Sequence, residues 1–194
     1  EMKKLLALLL ALMLCATAAF AEEGVFDYTV FEENEDIDFE IDHFDDEWTA
    51  YIPLMSTIVD VPMSFHAIGT LDGGIVMVHL YVNKPCEEVK VQVDDTVYTF
   101  DTALQVIVLD TSGVGLTLTP ETEPFFRALA TAEEVNVRVT LDGEEIDTSI
   151  TGSSLTQLQF VLTELFAQDV MNCYTEDGEG IWETFDLMQT MTVD

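Results

Sequence analysis

Between residues 48 and 150 apolar side chains recur mostly at every second position, in short runs. A period of two sets one face of an extended chain against a core and the other in water, so each run predicts a β-strand. The predicted strands cover residues 48–55, 63–70, 75–82, 89–93, 96–100, 104–109, 114–119, 135–140 and 145–150. Clusters of Asp, Gly, Ser and Thr, which favour turns, separate them. Upstream, Ile37, Phe39 and Ile41 alternate with Asp38, Glu40 and Asp42, and Phe26, Tyr28 and Val30 alternate similarly. This predicts one or two outer strands joined by an acidic turn at 32–36. A weaker alternation of Phe185, Leu187, Met191 and Val193 predicts a last strand.

Two segments change period. After Thr119, a candidate cap, Pro120 suits a first helical position and Glu121 and Glu123 suit the positive end of the helix dipole. Phe125, Phe126, Leu129 and Ala130 then make an apolar face. After a cap at Ser153 or Ser154, Leu155, Leu158, Val161, Leu162, Leu165 and Phe166 recur every three or four residues, predicting an amphipathic helix over 155–167. Many short strands with two helices in the C-terminal half predict an α+β fold. Mostly antiparallel sheets, sandwich-like, carry those helices on them.

Two dipeptides set strand registers. Asp142-Gly143 favours a two-residue type I′ turn, which places Val139 opposite Ile146, Val137 opposite Thr148 and Val135 opposite Ile150 on one face, and Arg138 opposite Asp147 on the other. Asp72-Gly73, read the same way, places His66 opposite His79, Ile68 opposite Met77 and Ser64 opposite Tyr81. A three-residue loop there separates the histidines onto opposite faces.

The first residues follow a different pattern. Lys3 and Lys4 precede an apolar run from Leu5 to Leu14, and Ala19-Phe20-Ala21 suits signal-peptidase cleavage, giving a mature start at Glu22. Leu14 precedes Cys15 where an acylation site takes a small residue, so Cys15 reads as part of the apolar run. The expected organisation is a signal peptide at 1–21, an acidic segment with outer strands at 22–47 and a single α+β domain at 48–194. The expected location is secreted or at the cell surface, without a transmembrane segment.

The formal charge is −32, from 38 acids against 6 bases. That balance argues against nucleic acid as a partner, because there is no cationic surface to displace counterions from phosphate. It is compatible with divalent cations, and with a protein or polysaccharide partner. Val, Ile, Leu and Phe recur throughout 48–170, enough apolar surface to offset the entropy of folding. Cys86 and Cys173 remain after cleavage, and an oxidising compartment allows them either a disulfide or buried free thiols.

Candidate chemistry is sparse. His66 and His79, facing each other across strands, could share a transition metal given a third ligand. Asp36, Asp38, Glu40 and Asp42 could supply oxygens to calcium, but alternate positions spread carboxylates along a strand instead of wrapping them around an ion. No cofactor motif is present, and no Gly-x-Ser-x-Gly, His-Glu-x-x-His or Gly-rich phosphate loop assigns a catalytic residue. Trp48, Tyr51, Tyr81 and Trp182 could stack on sugars, or equally pack the sheets. The sequence therefore reads as an exported, non-catalytic extracytoplasmic module that binds a partner or serves the cell envelope. The alternatives are a hydrolase of extracellular polymer and an acidic cation-binding protein. An aromatic-lined acidic cleft would favour the hydrolase, converging ligands the cation site, and a flat face of exposed aromatics or an unpaired strand edge the binding module.

Overall fold

The computed structural model describes residues 26–54, 62–73, 76–100, 105–108, 111–172 and 191–194. The expected signal sequence, Cys173, Trp182, Phe185 and Leu187 lie outside the described residues. Two antiparallel sheets account for the strands. One contains β1 (Asp38–Asp42), β2 (Glu47–Leu54), β3 (Met63–Thr70), β4 (Val76–Val82), β7 (Gln105–Val108) and β8 (Thr111–Thr117), in the order β1-β2-β3-β4-β8-β7. The other contains β5 (Glu88–Val93), β6 (Thr96–Phe100), β9 (Val135–Leu141), β10 (Glu144–Ile150) and β11 (Met191–Val193), in the order β10-β9-β5-β6-β11. The helices are α1 (Thr29–Glu32), α2 (Glu123–Leu129) and α3 (Gly152–Ala167). The fold is thus the sandwich-like α+β arrangement that the periodicity implies. No helix among the described residues is long and apolar enough to cross a membrane.

One buried cluster joins both sheets to the helices. Ala50, Ile52, Phe65, Val78, Leu80 and Leu116 come from the six-stranded sheet, and Val89, Val91, Phe100, Val137 and Val139 from the five-stranded one. Helix α3 packs against β2 and α2 and buries Leu158, Val161, Leu162 and Leu165, each fully buried side chain contributing roughly 1.5–3 kcal/mol. Leu155 and Phe166 sit at the margin, partly buried. The ring of Phe125 in α2 lies edge-on to Tyr98 and Phe100, at 5.2 and 4.8 Å between centroids, which ties α2 to β6.

The hairpin at Asp142-Gly143 has the expected register throughout, with Val139 opposite Ile146 and Arg138 opposite Asp147. Both turn residues have positive φ, +52° and +78°, as a type I′ turn requires. The β3–β4 register also follows expectation, but the turn does not. Its backbone bond runs from Gly73 N–H to the Thr70 carbonyl, the described ladder ends at Gly69 opposite Val76, and of Asp72 and Gly73 only Gly73 has positive φ. Asp72 is engaged instead as an acceptor for the Thr70 hydroxyl.

Three local expectations are corrected. Phe26, Tyr28 and Val30 do not form a strand. Asp27 Oδ1 accepts from the Thr29 amide and hydroxyl, at 3.1 and 2.6 Å, which bends the chain into α1. Aromatic packing dictates this choice, because Phe26, Tyr28, Phe31 and Phe39 all gather round Trp48, at 5.5–6.2 Å between centroids. Trp48 faces Gly69 across the ladder, where a Cβ would stand 2.6 Å from the indole. Second, α2 begins after Thr122, with Pro124 in its first turn; Pro120 precedes the helix. Thr122 Oγ1 donates to the Thr117 carbonyl at 2.6 Å and accepts from Thr119 N–H at 2.8 Å, so these two threonines fix the strand-to-helix corner. Third, α3 starts at Gly152, and neither Ser153 nor Ser154 is its N-cap residue. Ser154 donates across to the Pro53 carbonyl at 3.2 Å, pinning the helix to β2.

Candidate functional site

Each of the two sheets presents outward cross-strand rows that include polar residues. On the six-stranded sheet, register places Tyr51, His66, His79 and Thr117 side by side across β2, β3, β4 and β8. Strand alternation turns these side chains away from Trp48, Ala50, Phe65, Val78 and Leu116, so they occupy the opposite face from the core. Two members of the row are buried, His66 at 6% exposure and Thr117 at 1%, and Tyr51 and His79 are half-buried. His66 Nε2 lies 2.8 Å from Ser64 Oγ, and His79 Nδ1 lies 2.9 Å from Thr117 Oγ1. Tyr51 and Tyr81 stand edge-on to His66, at 4.9 and 6.3 Å between ring centroids. Burial lowers the pKa of both imidazoles, because the charged form loses its hydration. His79 falls from 6.5 to about 4, with repulsion from His66 adding to the effect of burial. Both rings are therefore neutral at pH 7.

The structure thus brings His66 and His79 together, and adds a neighbour that spacing did not single out. Ser64 and His66 lie two residues apart on one strand face and form a serine–imidazole pair. A nucleophilic serine also needs access for substrate and donors for the developing oxyanion. Ser64 is only 1% exposed, and Tyr81 opposite it is equally enclosed. The arrangement suits a buried polar seam. No third His, Cys, Asp or Glu joins the histidines among the described residues. The acids of β1 spread along an exposed strand face, and Asp42 Oδ1 is occupied by the Phe44 amide at 2.8 Å. Cys86 is a buried free thiol whose pKa rises to about 11 through burial, so it carries almost no thiolate at neutral pH.

The five-stranded sheet differs. Its outward rows are Thr99–Lys90–Arg138–Asp147 and Val97–Gln92–Asn136–Ser149, running across β6, β5, β9 and β10. Except for Thr99, these residues line a shallow depression of about 470 Å³ open to solvent. Arg138 grips Asp147 with two bonds, Nε to Oδ1 at 2.6 Å and Nη2 to Oδ2 at 2.7 Å, and its Nη1 reaches Glu145 at 3.0 Å. These contacts raise the Arg138 pKa and hold the Asp147 carboxyl below its usual range. Ser149 Oγ donates to Asn136 Oδ1 at 2.7 Å. Lys90 pairs with Glu88 at 2.9 Å. Sequence gave each strand of this shelf separately, but the β5–β9 pairing that sets Lys90 beside Arg138 joins segments more than 40 residues apart, with no turn between them to announce it.

β10 ends this sheet, and among the described residues no strand lies on its outer side. Glu87 N–H bonds to the Thr140 carbonyl and Asp94 N–H to the Glu134 carbonyl, so even-numbered residues of β9 serve β5. The odd-numbered ones serve β10 through Glu144, Ile146, Thr148 and Ile150. The N–H and C=O groups of Glu145, Asp147 and Ser149 consequently point off the edge. Compared with known proteins, the chain matches no family model, no curated protein and no solved structure, and the functional reading rests on this geometry.

Proposed function

We propose that this protein is an exported, non-catalytic extracytoplasmic module that binds a partner through the open side of its five-stranded sheet. The observation that carries the reading is the β10 edge, whose outward backbone donors and acceptors meet no strand among the described residues and stand beside an exposed polar shelf. An unpaired edge is a template for another extended chain. Export is supported by the basic, apolar and small-residue series ending at Ala21.

The test places a photo-crosslinking side chain at Ser149 and, as a control, at Thr156 on the exposed side of α3, in a cell that exports the protein. The expected result is one discrete adduct from position 149 and none from 156, on a chain whose intact mass begins at Glu22. Adducts of equal yield from both positions would remove the edge from the reading. A lipid on Cys15 would replace free export by membrane anchoring. A mass lost on chelation, or release of sugars from an extracellular polymer, would favour the cation-binding or hydrolase alternative.

A further inference from the structure

We infer that the β10 edge takes up an extended, basic segment of a partner protein by strand addition, a statement that rests on the binding-module reading. Register dictates what the added strand meets. Its residues opposite Glu145 and Asp147 extend two outward cross-strand rows, and the second already reads Lys90, Arg138, Asp147. A basic residue next to Asp147 sets opposite charges side by side, as Arg138 does on its other flank, and an acidic one sets like charges directly opposite. Arg138 uses two of the roughly four lone-pair positions on the Asp147 carboxylate, which leaves room for a further donor. Adjacent Glu144 and Glu145 are exposed and add to the negative field, within a chain of formal charge −32.

The same charges argue against a second copy. Two β10 strands paired antiparallel about Asp147 would place that carboxylate against itself, and the net charge of each chain opposes approach. The edge is therefore guarded against self-association and open to cations. The expected ligand is a segment with Lys or Arg at alternate positions. Pro within it is excluded wherever its amide must donate to the Asp147 carbonyl.

The test uses the mature chain at low salt and a seven-residue peptide with Lys at alternate positions and Val or Thr between. Amide hydrogen exchange and titration are followed by NMR. Slower exchange is expected at Glu145, Asp147 and Ser149, and affinity should fall as salt rises. A peptide N-methylated at alternate amides should bind at least about tenfold more weakly, the worth of one or two lost hydrogen bonds. Ser149→Pro removes an outward donor and should weaken binding comparably. Glu145→Lys leaves the backbone intact and should shift preference towards the glutamate counterpart of the peptide, so the outcome does not depend on the proline variant folding. Binding without edge protection, or unaffected by N-methylation, would overturn strand addition. Protection by neutral or acidic peptides alone would overturn the basic partner yet keep the binding module. Protection that grows with protein concentration in the absence of peptide would assign the edge to a second copy. An edge that no peptide protects would remove both readings.

Discussion

The two sheets carry outward polar rows built by the same local rule, and the rows end in opposite environments. On the six-stranded sheet Ser64, His66 and Thr117 are enclosed, and the imidazoles are held neutral. On the five-stranded sheet Lys90, Arg138 and Asp147 reach solvent and form ion pairs there. Strand periodicity decides which side chains leave the core. What lies over the far face decides whether they meet water. A covered row must neutralise and hydrogen-bond its members, because an unpaired buried charge costs far more than an exposed one. An open row can stay charged and remains available to a partner.

The largest effect expected concerns the core that both sheets share. Leu162→Asp on α3 should cost several kcal/mol, because it places an unpaired carboxylate among Leu158, Val161 and Leu165. Thr156→Asp, exposed on the same helix, should change stability by less than about 0.5 kcal/mol. Denaturant unfolding of both variants checks this. Separate transitions for the two sheets would break the premise that one core supports both rows.

Acid should then distinguish the rows. The folded pKa of His79 lies below its unfolded value of 6.5, so the unfolded chain binds more protons between those values. Stability contributed by neutral His79 is complete above pH 6.5 and is lost as pH falls towards about 4, with His66 acting in the same direction. Asp147 acts in the same direction but in a lower window: its pKa is depressed, so its contribution is present above the unfolded value of 3.8 and disappears only below it. Thermal unfolding from pH 7 to 4 should show a fall that His79→Gln flattens and Arg138→Gln leaves unchanged. Parallel profiles for the parent and His79→Gln would mean that the histidine row is wet after all.

A middle-sized effect tests the turn that aligns the open shelf. Gly143→Val forces a β-branched residue to φ near +78° and should cost about 1–3 kcal/mol of strain. A Cβ at Gly143 meets nothing within 4 Å, so any loss measured by thermal melting comes from the backbone and not from a clash.

The smallest effect belongs to the most conspicuous contact. Arg138→Gln removes the bidentate pair with Asp147, yet both groups are exposed and screened, so the melting temperature should move least of all these variants. A loss comparable to Gly143→Val would mean that the shelf is better shielded from solvent than the open face described here.

Much of the sheet architecture was legible because the determining signals are local. Asp142-Gly143 specifies both positive φ values and so aligns β9 with β10. The alternation of Val135, Val137 and Val139 then selects the buried face. Facing histidines were also legible, although for an incomplete reason. The register followed from Asp72-Gly73, but the turn that delivers it runs from Thr70 to Gly73. Where prediction failed, a distant partner outweighed a local signal. Phe26, Tyr28 and Val30 alternate as a strand would, but Trp48 draws the aromatic residues of that segment around one ring. Ser154 has the chemistry of a cap, but the Pro53 carbonyl, a hundred residues away, takes its hydroxyl.

Sequence by itself determined the strand faces, the helical stripe at Leu158, Val161, Leu162 and Leu165 and the register of the last hairpin, because these depend on residues within one turn or one repeat. Tertiary structure decided that β5 lies beside β9, that Ser64, His66 and Thr117 are buried, and that β10 ends its sheet among the described residues. Those outcomes depend on which distant surfaces exclude water from one another, a competition among all apolar faces of the chain that no local pattern encodes.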